Sequence, residues 1–208
     1  MATLFVFGDS WPYGSELQPG EYPYGQLLYQ RVGCNDVKSF AEASTSIPHL
    51  ILQLRSAIAQ GANDTKAIFF LTGVDRDLVW EEHCTRELNP SSSGDADWYA
   101  KYNSPELTNY RINTTLMALQ SMCAKHNIED YYIWGWDRVE LWPEVDQTKI
   151  YKDTIADVFL EGAEIPNGTS KIMHLKNSKN RFVWPNMGHP NQLGHQRIAD
   201  ILAEWICT

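Results

Sequence analysis

Apolar residues in this chain fall into short continuous runs that alternate with longer segments of helical period. Leu4 to Phe7 is an apolar run that ends at Gly8-Asp9-Ser10, which predicts a strand entering a loop. Tyr24, Leu27 and Leu28 after Pro23 predict a helix that stops at Gly33. Val37 to Ala41 reads as a second strand. Ile47, Leu50, Ile51, Leu54 and Ile58 then recur at helical spacing, with Ser46 placed to cap and Gly61 to stop. Lys66 to Leu71 is a third, continuously apolar strand, the pattern of a strand buried on both faces. Ser104-Pro105 opens a helix with Ile112, Leu116, Leu119 and Cys123 on one face. Tyr131 to Trp134 is a fourth strand. Asn191 is placed to cap a last helix whose stripe is Ile198, Ile201, Leu202, Trp205 and Ile206.

Two stretches break this rhythm. Residues 77 to 104 contain Asn89-Pro90-Ser91-Ser92-Ser93-Gly94 followed by Trp98, Tyr99 and Tyr102, and read as a loop insertion or flap. Residues 137 to 180 carry no clear period. Elsewhere strands alternate with helices, which implies βαβ crossovers: a three-layer α/β/α sandwich with a mostly parallel sheet. With 208 residues the chain is expected to form a single domain, residues 1–208.

Composition narrows the function classes. The formal net charge is −9 and no Lys/Arg cluster stands out, so neither nucleic acid nor an anionic membrane surface is an expected partner. No apolar run approaches the ~20 residues that span a bilayer. The opening apolar run is too short for a signal peptide and lacks a basic segment before it, which predicts a cytoplasmic location. Cys34, Cys84, Cys123 and Cys207 are scattered and read as reduced thiols. Three Asn-x-Thr triplets then read as chance matches to the glycosylation pattern. Glu81, Glu82 and His83 lack metal-ligand spacing, so no metal is expected. The oligomeric state is not legible.

In open α/β sheets, sites lie outside the carboxyl ends of the strands. Three polar clusters fall at such ends or just before a helix: Gly8-Asp9-Ser10, Thr72-Gly73-Val74-Asp75-Arg76 and Gly188-His189-Pro190-Asn191. A serine near one terminus can meet a histidine near the other if strand one lies inside a parallel sheet.

At these residues the chain resembles the SGNH, or GDSL-like, hydrolases, whose fold is flavodoxin-like. Gly8-Asp9-Ser10 follows the first strand as in that family, and His189-Pro190 with Gly194-His195 and a terminal helix looks like its last block. Phe40-Ala41-Glu42-Ala43-Ser44 resembles the second block and Gly73-Val74-Asp75 the third. The compact form also looks like GDSL-like proteins encoded by some bacteriophages, for which a virion location would follow. The resemblance implies a serine esterase acting on a carboxylic ester, without metal or organic cofactor. Ser10 would be the nucleophile and His189 the base, then the acid that protonates the leaving alcohol. The backbone N–H groups of Ser10 and Ser44 would bind the oxyanion.

Two positions depart from the family pattern. The aspartate expected three residues before the histidine is Asn186, which could orient the ring without offsetting its positive charge. Asp75 stands where the family places an oxyanion-binding asparagine; it would have to be protonated, pair with Arg76, or mark a one-residue slip. These departures favour a rival reading, a catalytically impaired SGNH-fold binding or virion structural module. Among eight tryptophans, Trp11 and Trp184 fall beside the blocks and Trp136 follows the fourth strand at its expected site-facing end; with Arg76 they are candidate substrate contacts, and their flat faces suit a sugar ring, as in a carbohydrate O-acetyl ester.

Overall fold

The computed structural model of the chain describes residues 2–81, 84–88, 94–184 and 188–208. Its elements in chain order are β1 (Thr3–Phe7), α1 (Ser10–Tyr13), α2 (Tyr24–Leu28), β2 (Asp36–Ser39), α3 (Leu50–Ala59), β3 (Lys66–Leu71), β4 (Asp77–Glu81), β5 (Cys84–Leu88), α4 (Ala96–Tyr102), α5 (Pro105–Lys125), β6 (Glu129–Trp134), β7 (Ile150–Thr154), α6 (Ile155–Leu160), α7 (Lys171–Asn177) and α8 (Gln192–Ile206).

Five strands form one sheet in the order β2-β1-β3-β6-β7, and every pairing in it is parallel. Side chains alternate across it, as the two-residue period requires. Leu4, Val6, Ile68, Phe70 and Ile133 enter one core with α2, α6 and α8, through Leu28, Phe159, Ile198 and Leu202. Phe5, Phe7, Phe69, Leu71 and Trp134 enter the other with α3 and α5, through Leu50, Leu54, Leu116 and Leu119. Helices therefore cover both faces, and the molecule is the expected three-layer α/β/α sandwich. In the second core Phe7, Phe69 and Tyr132 stack across three adjacent strands, with ring centroids 4.7 and 5.0 Å apart. Such pairs contribute about 0.5–1.5 kcal/mol beyond their buried area, and this stack ends one residue before Gly8.

Five expectations change, the first being that α2 ends at Leu28 and not at Gly33. α3 begins at Leu50 with His49 as its cap residue, and the Ser46 hydroxyl is buried without a partner instead of capping. Pro48 disfavours the helical conformation at Ile47 and delays the start. Within 77–104, β4 and β5 form an antiparallel hairpin and α4 follows, so the described part of this segment is not a plain loop. Residues 82–83 and 89–93 lie outside the described residues. A fifth strand, β7, emerges from the unpatterned 137–180 stretch, and β2 ends at Ser39 rather than Ala41. The caps of α5 and α8 are as expected: Ser104 accepts from Leu107 N–H and Asn191 from Gly194 N–H.

Candidate active site

From β1 the chain crosses to β2 on one side and then returns to β3 on the other. The β1/β3 crevice is thus the topological switch point, the place where open α/β sheets bind ligands. Gly8 leaves β1 with φ +142°, and a Cβ there would lie 2.7 Å from Pro12 Cγ and 2.8 Å from Phe70 Cβ. Only glycine fits this approach. Gln53, reaching up from α3, clamps the Gly8 peptide groups. Its Oε1 accepts the Gly8 N–H at 2.9 Å, and its Nε2 donates to the Gly8 carbonyl at 2.9 Å. The Thr45 hydroxyl donates to the same carbonyl at 3.0 Å.

Asp9 is fully buried and caps α1. Its Oδ1 accepts the Trp11 N–H at 3.0 Å; its Oδ2 accepts from the Thr72 hydroxyl at 2.5 Å and from Arg76 Nη1 at 3.1 Å. Burial pushes this carboxyl up, while Arg76, Thr72 and the Trp11 N–H pull it down. The cap ties the end of β3 to the start of α1 and fixes Ser10 at that helix's first position.

At the other end of the chain, Trp184 N–H donates to the His189 carbonyl at 2.8 Å and Gly188 N–H to the Trp184 carbonyl at 2.9 Å. Gly188 has φ +75°, and a Cβ on it would meet Lys176 Cε at 2.7 Å. This tight return delivers His189 Nε2 to 3.0 Å from Ser10 Oγ, across 179 residues of sequence. Its other nitrogen, Nδ1, lies 3.2 Å from Glu16 Oε2. That contact places opposite charges together when the ring is protonated, without the alignment of a hydrogen bond.

Ser44 has φ +69°, in the left-handed region that glycine adopts most readily. Asp75 is solvent-exposed. The possible partner Arg76 is engaged elsewhere: its Nη1 donates to Asp9 and to the Thr45 carbonyl at 3.4 Å, and its guanidinium lies 5.8 Å from the Trp136 ring centroid. Asn186 lies outside the described residues.

Among the tryptophans, Trp11 is a correction. It is 2% exposed and packs against Phe70, Trp136 and Phe159 as a core residue, because the turn of α1 points it under the site. Trp136 is half-buried beside Arg76 and close to Gly73, where a Cβ would lie 3.1 Å from its ring. Trp184 is half-buried and holds the His189 loop through its backbone. Among the described residues no cluster of His, Cys, Asp or Glu is arranged to hold a metal.

Sequence reasoning missed Glu16 and Gln53. For Gln53 a signal existed: a polar residue on the buried face of α3, between Leu50 and Leu54. For Glu16 none did, since its partner is far away in sequence.

No family model and no curated protein matches the chain. Solved structures do. The psychrotrophic esterase EstA from Pseudoalteromonas sp. matches with a TM-score of 0.54 at 13% identity, over 100% of both chains. The lipase Lip_vut3 from a goat rumen metagenome matches with a TM-score of 0.55 at 9% identity, over 99% of this chain and 97% of its own. A protein named as lipolytic and of the G-D-S-L family, from Desulfitobacterium hafniense DCB-2, matches with a TM-score of 0.53 at 11% identity, over 99% of each chain. At such identities the shared property is the arrangement of the sheet and its helices from end to end: the chain has the α/β fold of the SGNH, or GDSL-like, hydrolases.

Proposed function

We propose that the protein is a carboxylic ester hydrolase with Ser10 as nucleophile and His189 as its base. The observation that carries this reading is the 3.0 Å approach of Ser10 Oγ to His189 Nε2. A serine hydroxyl attacks an ester only when a neighbour takes its proton, and a heavy-atom distance in this range is what that transfer needs. Ser10 Oγ bonds to the acyl carbon as its proton passes to Nε2. The oxyanion that forms is met by the backbone N–H groups of Ser10 and Ser44. Collapse breaks the bond to the alkoxy group, whose oxygen takes the proton from Nε2 and leaves as the alcohol. Water, deprotonated by His189, then attacks the acyl-serine and releases the carboxylic acid, and Ser10 regains its proton.

Only 7% of Ser10 is exposed, which favours a short acyl group such as acetyl. The half-buried ring of Trp136 and the exposed ring of Tyr13 offer flat faces for a sugar alcohol. A carbohydrate acetyl ester is therefore the proposed substrate class.

The purified protein should hydrolyse a p-nitrophenyl acetate more efficiently than its octanoate. Ser10→Ala should lower that rate by ~10³-fold or more with an unchanged circular dichroism spectrum. Wild-type turnover in the Ser10→Ala protein would exclude Ser10 as nucleophile. No turnover by either protein, on any acyl length, would favour a binding module on the same fold. The esterase EstA is inhibited by monoethylphosphonate; a reagent of that class should equally trap Ser10 here.

A further inference from the structure

The base of a serine hydrolase has two nitrogens with different tasks. For Nε2 to accept the Ser10 proton, the resting imidazole must carry its own proton on Nδ1, and the imidazolium that follows needs a nearby anion. In this chain the residue three before the histidine is an asparagine. The carboxylate that does face Nδ1 comes from the opposite end of the molecule. Glu16 Oε2 lies 3.2 Å from Nδ1, and 70% of the Glu16 side chain is removed from solvent.

The backbone is shaped to put it there. Gly14 closes α1 in the left-handed conformation, at φ +82°, where a Cβ would meet Leu17 Cδ1 at 2.9 Å. Ser15 N–H donates back to the Ser10 carbonyl at 3.0 Å, and Leu17 N–H to the Gly14 carbonyl at 3.2 Å. Glu16 itself takes φ +72°, a left-handed conformation that strains a non-glycine residue. Glu16 Oε2 is buried and has no aligned hydrogen-bond partner. A strained residue that aims a buried, unbonded carboxylate oxygen at a histidine nitrogen fits a positioning role better than a stabilising one.

We infer that Glu16, on the turn that closes the nucleophile helix, is the acidic positioning residue of His189 and completes a Ser10–His189–Glu16 relay. The inference rests on the proposed hydrolase reading. The 3.2 Å contact would tighten into an aligned bond as positive charge develops on the ring. Other charged groups around His189 are accounted for. Asp9 is locked to Arg76 and Thr72. His195 is kept neutral at ordinary pH by burial, which lowers it to about 4. From α7, the stem of Lys176 lies against Gly188. None of these contacts involves the Glu16 carboxylate.

The test is Glu16→Gln, which keeps the shape and removes the charge, with Glu16→Asp as the charge-keeping partner. The Nδ1–H proton of His189, followed by NMR at fixed pH, should give a downfield resonance held against exchange by the Glu16 carboxylate in wild type, and in Glu16→Gln that resonance should move upfield or be lost to exchange. Part of that change should return in Glu16→Asp. On an activated ester, kcat should fall ~10- to 100-fold in Glu16→Gln with KM little changed. A His189 Nδ1–H resonance identical in wild type and Glu16→Gln would overturn the inference. The NMR measurement needs no turnover, so it decides on Glu16 even if Ser10→Ala retains full activity and the hydrolase reading falls.

Discussion

His189 and His195 lie six residues apart and have opposite environments. His189 sits on the loop before α8, open to the cleft. His195 sits within α8, with no exposed surface, stacked on Tyr24; its Nδ1 accepts the Tyr24 N–H at 3.2 Å. Burial lowers its pKa from 6.5 to about 4, helped by the charge of His189. The folded state therefore binds fewer protons than the unfolded chain between those values. The contribution of His195 is complete above pH 6.5 and is lost as pH falls toward 4, by about 3 kcal/mol at most. Asp9, whose carboxyl burial pushes up, works in the opposite direction, so the effect is read as a difference. Urea unfolding of wild type and His195→Asn at pH 7 and pH 4.5 should show a loss on acidification that is about 2 kcal/mol smaller in the variant. Equal losses would mean that His195 is not held neutral. At this scale the sequence was informative where chemistry is local: Gly-Asp-Ser and Gly-His-Pro each announce a turn at the edge of an element. It was silent about Glu16, whose meaning depends on a contact spanning the chain, and misleading about Trp11, whose neighbour Ser10 faces the cleft while its own ring faces the core.

Among the elements, α3 links packing to chemistry. Its apolar stripe holds it on the sheet, and Gln53 within that stripe satisfies both peptide groups of Gly8. Gln53→Met conserves volume and removes both bonds. The Gly8 N–H then has no acceptor from α3, while its carbonyl keeps Thr45 and Glu42. The expected cost is ~1–3 kcal/mol of stability, that of a buried donor left unpaired. Activity should fall further than stability, because the same peptide sets the position of Ser10. A variant as stable as wild type by chemical denaturation would show that the clamp is dispensable. The strands and helices with a regular period were legible from sequence alone, since burial on one face leaves that trace. The hairpin of β4 and β5 and the strand β7 were not. Their sequences, Asp77–Glu81, Cys84–Leu88 and Ile150–Thr154, mix charged and polar residues among the apolar ones, so they show neither the continuous apolar run of β1 and β3 nor a period of two.

For the molecule as a whole, the site exists because β1 lies inside the sheet. Ser10 follows β1, Arg76 follows β3, and α8 runs back along the face covered by α2, bringing His189, two residues before its cap Asn191, to Ser10. The alternation of strands and helices predicts this layout, and the clustering of polar residues after strands one and three predicts the crevice. The distance that joins Ser10 to His189 could be read only from the folded chain.

Covalent capture by an alkyl phosphonate ester tests the central claim most directly, because it asks for an activated serine without requiring the natural substrate. Mass spectrometry of the treated, folded protein should find one adduct, on the peptide carrying Ser10. The adduct should be absent in Ser10→Ala and form at least ~100-fold more slowly in His189→Ala, in which no base activates the hydroxyl. An unlabelled Ser10, or labelling at the same rate in wild type and His189→Ala, would contradict the account.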